Sequence, residues 1–280
     1  MPSTDDADDS DDDALWKFAP PPASVLRDAS TATDVDMTPF YDVDPTFEHK
    51  LRALGPRSYH AESLRVACRD NVTSLDWSQT YVTQRHMDAL SAYVALTSRH
   101  LVSLTLSKNA LGPSGAELLG LALVTNNTIE YLDVSETELT GSPLRPSFAG
   151  LSKLVQGWES KRSVLRHLNI AGAGLQPNGV RLVCSALAFH RTLTALNISS
   201  NMAGIFKDKQ GYVALASLLR FSGSLTSLDM SNNPFQSAAT GTLVEALDGN
   251  TGLTSLNATG CSVADALYQL HLPALFDLRL

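Results

Sequence analysis

Residues 101–123 read Leu101-Val-Ser-Leu104-Thr-Leu106-Ser-Lys-Asn109-Ala-Leu111-Gly-Pro-Ser-Gly115-Ala116-Glu-Leu-Leu119-Gly-Leu-Ala-Leu123. The opening phrase, L-x-x-L-x-L, ends in an alternation of period two, which puts two leucines on one face of a short strand. From Ala116 onward the apolar residues return at helical spacing, through Leu119 and Leu123. Asn109 stands between the two patterns, where a side-chain amide can bond backbone groups that an irregular turn leaves unpaired. The stretch therefore predicts strand, turn and helix in one compact unit.

The same phrase begins at Val72, Leu101, Ile129, Leu165, Leu193, Leu225, Leu253 and Leu275, the last copy ending with Leu280. The starts are separated by 29, 28, 36, 28, 32, 28 and 22 residues, so a 28-residue unit is visible with two insertions and one short copy. Asn recurs at the turn in Asn201 and Asn233, and Thr80, Thr137, Ala173 and Cys261 take that place elsewhere, which makes Cys261 a turn residue and not a reactive thiol. A single unit cannot fold alone. About six buried apolar side chains at roughly 2 kcal/mol each fall short of the roughly 1.5 kcal/mol per residue lost in ordering it. Stacked units bury one another's leucines, and a curved solenoid with a parallel sheet inside and helices outside follows.

This helix-bearing period resembles the ribonuclease-inhibitor-like class of leucine-rich repeats, over roughly residues 60 to 280. The resemblance implies an α/β leucine-rich-repeat solenoid, a horseshoe with seven repeats and the start of an eighth over residues 72–280. It also implies a non-enzymatic protein–protein interaction scaffold or regulatory adaptor. The class includes GTPase-activating proteins for Ran, in which reading Arg145 is the natural residue to supply charge, and actin regulators and ciliary or flagellar subunits. These stand as alternatives.

The net charge of −8 is unevenly spread. Residues 1–48 hold 13 acids against Lys17 and Arg27, a net of −11, whereas residues 49–280 hold 16 acids against 19 bases, a net of +3. With seven aspartates by position 13 and the run Pro20-Pro21-Pro22, the first 48 residues are too charged to bury a core and are expected to be a disordered acidic tail. Leu15-Trp16-Lys17-Phe18 interrupts that acidity in the manner of a docking motif. Residues 49–71, with Leu51, Leu54, Leu64 and Val66, are expected to cap the first repeat. The body has no broad basic field, which argues against nucleic acid as a partner. No apolar run reaches the ~18 residues of a membrane span and the N-terminus lacks a basic-then-apolar signal, so the expected location is cytoplasmic, with no membrane insertion. Cys68, Cys184 and Cys261 form no C-x-x-C pair, in keeping with a reducing compartment.

No cofactor, metal site or catalytic set is expected. The loop Gly172-Ala-Gly174-Leu-Gln-Pro-Asn-Gly179 imitates a phosphate site, but Leu111-Gly-Pro-Ser-Gly115 holds the same place in another unit, so it is the repeat's own turn. The inner face carries Asp76, Thr105, Asp133, Asn169, Asn197, Asp229 and Asn257, each followed two residues later by a small residue that is usually Ser. Tyr131 and His167 stand out there as binding anchors, with Glu136 and Lys108 beside them. The insertions, within residues 140–149 and 204–211, precede their helices and project from one rim, bringing Arg145, Phe148, Phe206, Lys207 and Lys209 to it. Apolar anchors beside cations suit a protein partner with an acidic, aromatic motif. The copy at Leu275 has no helix after it, so it leaves an open sheet edge through which self-association is expected, unless the chain is a piece of a longer repeat protein.

Overall fold

The computed structural model describes residues 43–204, 208–235, 237–263, 266, 275 and 277–280. Each repeat phrase contributes a three-residue strand: β1 (Ser74–Asp76), β2 (Ser103–Thr105), β3 (Tyr131–Asp133), β4 (His167–Asn169), β5 (Ala195–Asn197), β6 (Ser227–Asp229), β7 (Ser255–Asn257) and β8 (Asp277–Arg279). They form one parallel sheet in sequence order, β1 to β8. Its register aligns the central leucines Leu75, Leu104, Leu132, Leu168, Leu196, Leu228, Leu256 and Leu278. Every one of these up to Leu256 is buried, whereas Leu278 on the outermost strand is exposed.

Six helices follow the strands: α3 (Gln84–Ala92), α4 (Gly112–Thr125), α5 (Ala149–Trp158), α6 (Gln176–Leu187), α7 (Gln210–Phe221) and α8 (Ser237–Asp248). A π-helical turn, Tyr93–Thr97, extends α3. The short copy after Leu253 carries Ala266, Leu267, Leu270 and Leu272, enough by spacing for one brief helix; apart from Ala266, residues 264–274 lie outside the described residues.

Two helices precede β1, α1 (Pro45–Ala53) and α2 (Tyr59–Asp70), where the N-terminal cap is expected. The expected boundary between tail and cap at residue 48 therefore falls inside α1. Asp44 accepts a hydrogen bond from the Thr46 N–H at 2.8 Å and Pro45 starts the helix, a local helix-start signal that prevails over the acidity of the segment. Residues 1–42 of the expected tail lie outside the described residues. Phe47 is fully buried and its ring meets that of Tyr93 at 5.6 Å. Trp77, the aromatic in the first copy, is also fully buried and donates its indole N–H to Ser63 Oγ of α2 at 2.7 Å, so one residue closes the solenoid end without orphaning a polar group.

The turn residues do what an amide can do there. Asn109 Oδ1 accepts from Thr80 N and Val82 N of the preceding unit, while its Nδ2 donates to Trp77 O at 2.7 Å and Leu106 O at 2.9 Å. Asn201 and Asn233 repeat the arrangement, and Asn233 Oδ1 accepts from Asn201 N at 3.0 Å and Ala203 N at 3.1 Å. Cys261 keeps one of these bonds, Sγ to Met230 O at 2.9 Å, and burial pushes its thiol up to about 11.

The long third unit brings α5 into backbone contact with α4. A Cβ on Gly150 would lie 1.8 Å from Pro113 O, and one on Gly120 would lie 2.3 Å from the Lys153 carbonyl carbon. Only glycine allows this approach.

Candidate protein-binding surface

Side chains on either side of each central leucine face the inside of the curve, because successive residues of a strand point to opposite faces. One of these two columns runs Ser74, Ser103, Tyr131, His167, Ala195, Ser227, Ser255 and Asp277. The register places Tyr131 beside His167, and the two rings stack with centroids 4.4 Å apart and planes 15° from parallel. They are the column's aromatic residues, and both are half-buried. Burial and the neighbouring Arg166 hold the His167 imidazole below its ordinary pKa, partly offset by Glu130. Arg166 Nε pairs with Glu130 Oε2 at 3.0 Å, and these are the residues just before Tyr131 and His167. Two strands thus present a flat aromatic shelf with an ion pair along its edge.

Among residues at the second position of the first seven copies, Thr73, Val102, Glu130, Arg166, Thr194, Thr226 and Thr254, the charges fall only on the two copies that carry Tyr131 and His167. The charge and the aromatic thus coincide in the same two copies, a coincidence that shows only when the copies are aligned by register.

The other inward column, Asp76 to Asn257, is occupied with the fold itself. Asp76 Oδ1 accepts from Ser78 N at 2.8 Å, Asp133 Oδ1 from Ser135 N at 2.9 Å, Asn197 Oδ1 from Ser199 N at 2.9 Å and Asp229 Oδ1 from Ser231 N at 2.9 Å. The recurring Asp/Asn-then-Ser pattern is therefore a local side-chain turn that starts the exit from each strand. Asn169 Nδ2 also donates to Asp133 Oδ2 at 3.0 Å, and Asn257 Nδ2 to Asp229 Oδ2 at 3.1 Å. Burial raises the Asp133 carboxyl, with the bonds from Ser135 and Asn169 acting against it. Among the described residues, no group of three or more His, Cys, Asp and Glu side chains is arranged to hold a metal ion, and no helix is long and apolar enough to cross a membrane.

The first insertion forms a closed loop. Ser147 N bonds Thr140 O at 2.8 Å, and Gln176 Nε2 of the next unit reaches Pro143 O at 2.7 Å. Arg145 is exposed on it, next to Leu144, which is 93% exposed. Phe148 is half-buried, sits at the start of α5 and packs against the core, so its ring is committed inward. In the second insertion Lys209 is exposed at the start of α7, while Phe206 and Lys207 lie outside the described residues. Tyr131 and His167 open their strands whereas Arg145 and Lys209 follow the strand ends, so the structure joins the two aromatics to each other and leaves Arg145 and Lys209 on the far rim.

Residues 97–120 match the family described as Leucine Rich repeat, and residues 224–250 match a second described as Leucine Rich Repeat. Over 118 residues, 42% of the chain, the sequence is 32% identical to Tonsoku-like protein from Danio rerio, and the match spans 8% of that relative's length. Among solved structures, the leucine-rich repeat-containing protein LegL7 from Legionella pneumophila superposes with a TM-score of 0.50 at 17% identity, covering 79% of this chain and 69% of its own. Leiomodin-1 actin-binding site 2 superposes with a TM-score of 0.39 at 16% identity, covering 69% of this chain and 90% of its own. The repeat matches, the fold held in common with LegL7 and the unbroken register of x-L-x strands make this chain a leucine-rich-repeat protein.

Proposed function

We propose that the chain is a non-enzymatic protein-interaction scaffold of the 28-residue, helix-bearing repeat type, and that a protein partner docks on the inner face at β3 and β4. The observation that carries this reading is the stacked pair Tyr131–His167 with the Glu130–Arg166 ion pair along its edge. Interface energy concentrates in aromatic and arginine anchors, and the rest of the inner face is small and polar, with many side chains already bonded within the fold. A flat aromatic surface edged by both charge signs suits a partner that presents an apolar or planar side chain beside a charged one. Arg145 and Lys209 on the far rim, with Phe206 and Lys207 from the second insertion by sequence, form a second proposed contact region. The test is quantitative capture of partners from a native extract by the intact chain and by Tyr131→Ala with His167→Ala. Loss of a specific protein on the double substitution, with the thermal midpoint kept, supports the reading; an unchanged set of partners overturns it.

Self-association through β8, where Leu278 is exposed, is a further proposed contact. Sedimentation of the intact chain against Leu278→Lys with Leu280→Lys tests it. A monomer at high micromolar concentration in the unsubstituted chain contradicts it.

A further inference from the structure

The rim where helices end and strands begin carries a second surface, on the opposite side of the sheet from the insertions. Phe189, just after α6, is 75% exposed, and Phe221, the last residue of α7, is 53% exposed; their rings stack at 5.8 Å. Both lie four residues before the next repeat phrase, and the same place in the preceding unit is Lys161. Arg162 follows Lys161 and Arg191 follows Phe189 by two residues. Lys161, Arg162 and Arg191 are exposed and make no ion pair among the described residues, whereas Arg220 is taken by Glu245 at 3.0 Å. The acids of this strip are Glu159, Glu245 and Asp248. Beside it, Trp158 lines a cleft with Asn126, Ser163 and Leu165, and its buried indole N–H finds no acceptor among the described residues. A paired aromatic surface, free cations and an unused buried donor converge on one rim.

We propose that this rim is the docking site for the chain's own acidic segment Asp11-Asp12-Asp13-Ala14-Leu15-Trp16-Lys17-Phe18. The charge signs match, −11 over residues 1–48 against the unpaired Lys161, Arg162 and Arg191. The aromatics Trp16 and Phe18 supply apolar surface for Phe189 and Phe221. The 25 residues from Phe18 to Val43 span up to about 85 Å when extended. The rim lies about four helix-to-helix steps of 8–10 Å from the N-terminal cap, about 40 Å. Tethering also gives the segment an effective concentration on the order of a millimolar, so a weak site fills intramolecularly before a free acidic peptide competes. The site does not overlap Tyr131 and His167, and this inference stands or falls independently of the inner-face reading.

The experiment uses the full chain with a photoreactive benzoylphenylalanine in place of Trp16, irradiated at 0.1 M salt and mapped by mass spectrometry. The expected result is intramolecular cross-linking concentrated on residues 158–162, 189–191 and 217–221. Yield should drop at least fivefold in Lys161→Glu with Arg162→Glu and Arg191→Glu, and again in Phe189→Ser with Phe221→Ser. All these side chains are exposed, so both variants should keep the thermal midpoint of the parent. Cross-links scattered over the body, on the insertion rim, only between two copies, or absent overturn the proposal, as does a yield indifferent to either variant.

Discussion

Tyr131 and His167 stack at 4.4 Å because parallel pairing of β3 with β4 sets them side by side, thirty-six residues apart in the chain. A stacked pair of this kind adds about 0.5–1.5 kcal/mol beyond the area it buries. A double-mutant cycle of Tyr131→Ala and His167→Ala, followed by urea unfolding, should give a coupling energy in that range, each single change already losing the stacking contribution and the second adding little to it. A coupling near zero would mean the rings do not meet in solution.

The contact between α4 and α5 makes glycine obligatory. Gly150→Ala puts a methyl group 1.8 Å from Pro113 O, and the helices must separate to admit it. Overpacking costs typically 1–3 kcal/mol, and this site should lie at or above the upper end, because the obstacle is backbone. Gly223→Ala, with nothing within 4 Å, is the control and should be neutral to within about 0.5 kcal/mol. Urea midpoints for the two variants separate the outcomes.

Asn233 ties its unit to the preceding one by three hydrogen bonds, accepting from Asn201 N and Ala203 N and donating to Ile198 O, and it also donates to Met230 O of its own unit. Asn233→Ala leaves buried backbone groups unpaired at about 1–3 kcal/mol each. The expected loss is about 3 kcal/mol or more, with amide exchange accelerating first in the units on either side. Exchange that speeds up uniformly across the chain would contradict this local role.

Acid should destabilise the N-terminal cap through its histidines. His60 donates from or accepts at Nε2 with Thr80 Oγ1 at 3.1 Å and stacks on His86 at 3.9 Å. Burial, then the proximity of His86, lowers its pKa to about 4, and burial lowers His86 as well. A histidine with a lowered folded pKa keeps its full contribution above the unfolded value of about 6.5, and that contribution falls with pH until the folded pKa is reached. Stability should therefore decline from pH 7 to pH 5, and His60→Gln should flatten part of the slope. A midpoint independent of pH across that window in the parent chain would contradict the assignment.

The repeat phrase made the fold readable, because one leucine register fixes each strand, its partner and its buried face. The turn role of Asn109 and Asn201 followed from the chemistry of an amide. Other features depend on contacts that no single unit contains. Gly120 and Gly150 look like ordinary helix residues until two helices touch, and Asp133 or Asp229 reads as an available charge until its bond to the residue two ahead is seen. Tyr131 and His167 were visible as unusual residues, but their stacking required the register between β3 and β4. Phe189 and Phe221 carry no signal in the sequence, because they fall at a repeat position that holds Thr97 and Thr125 elsewhere and meet only when two units stack.

The central claim, that the inner face at β3 and β4 binds a protein, is tested most directly by titrating the captured partner against the intact chain and Tyr131→Ala with His167→Ala. At least a tenfold loss of affinity, about 1.4 kcal/mol, is expected, with the folded stability changed by no more than the stacking energy of the pair. Equal affinities for the two proteins would contradict it.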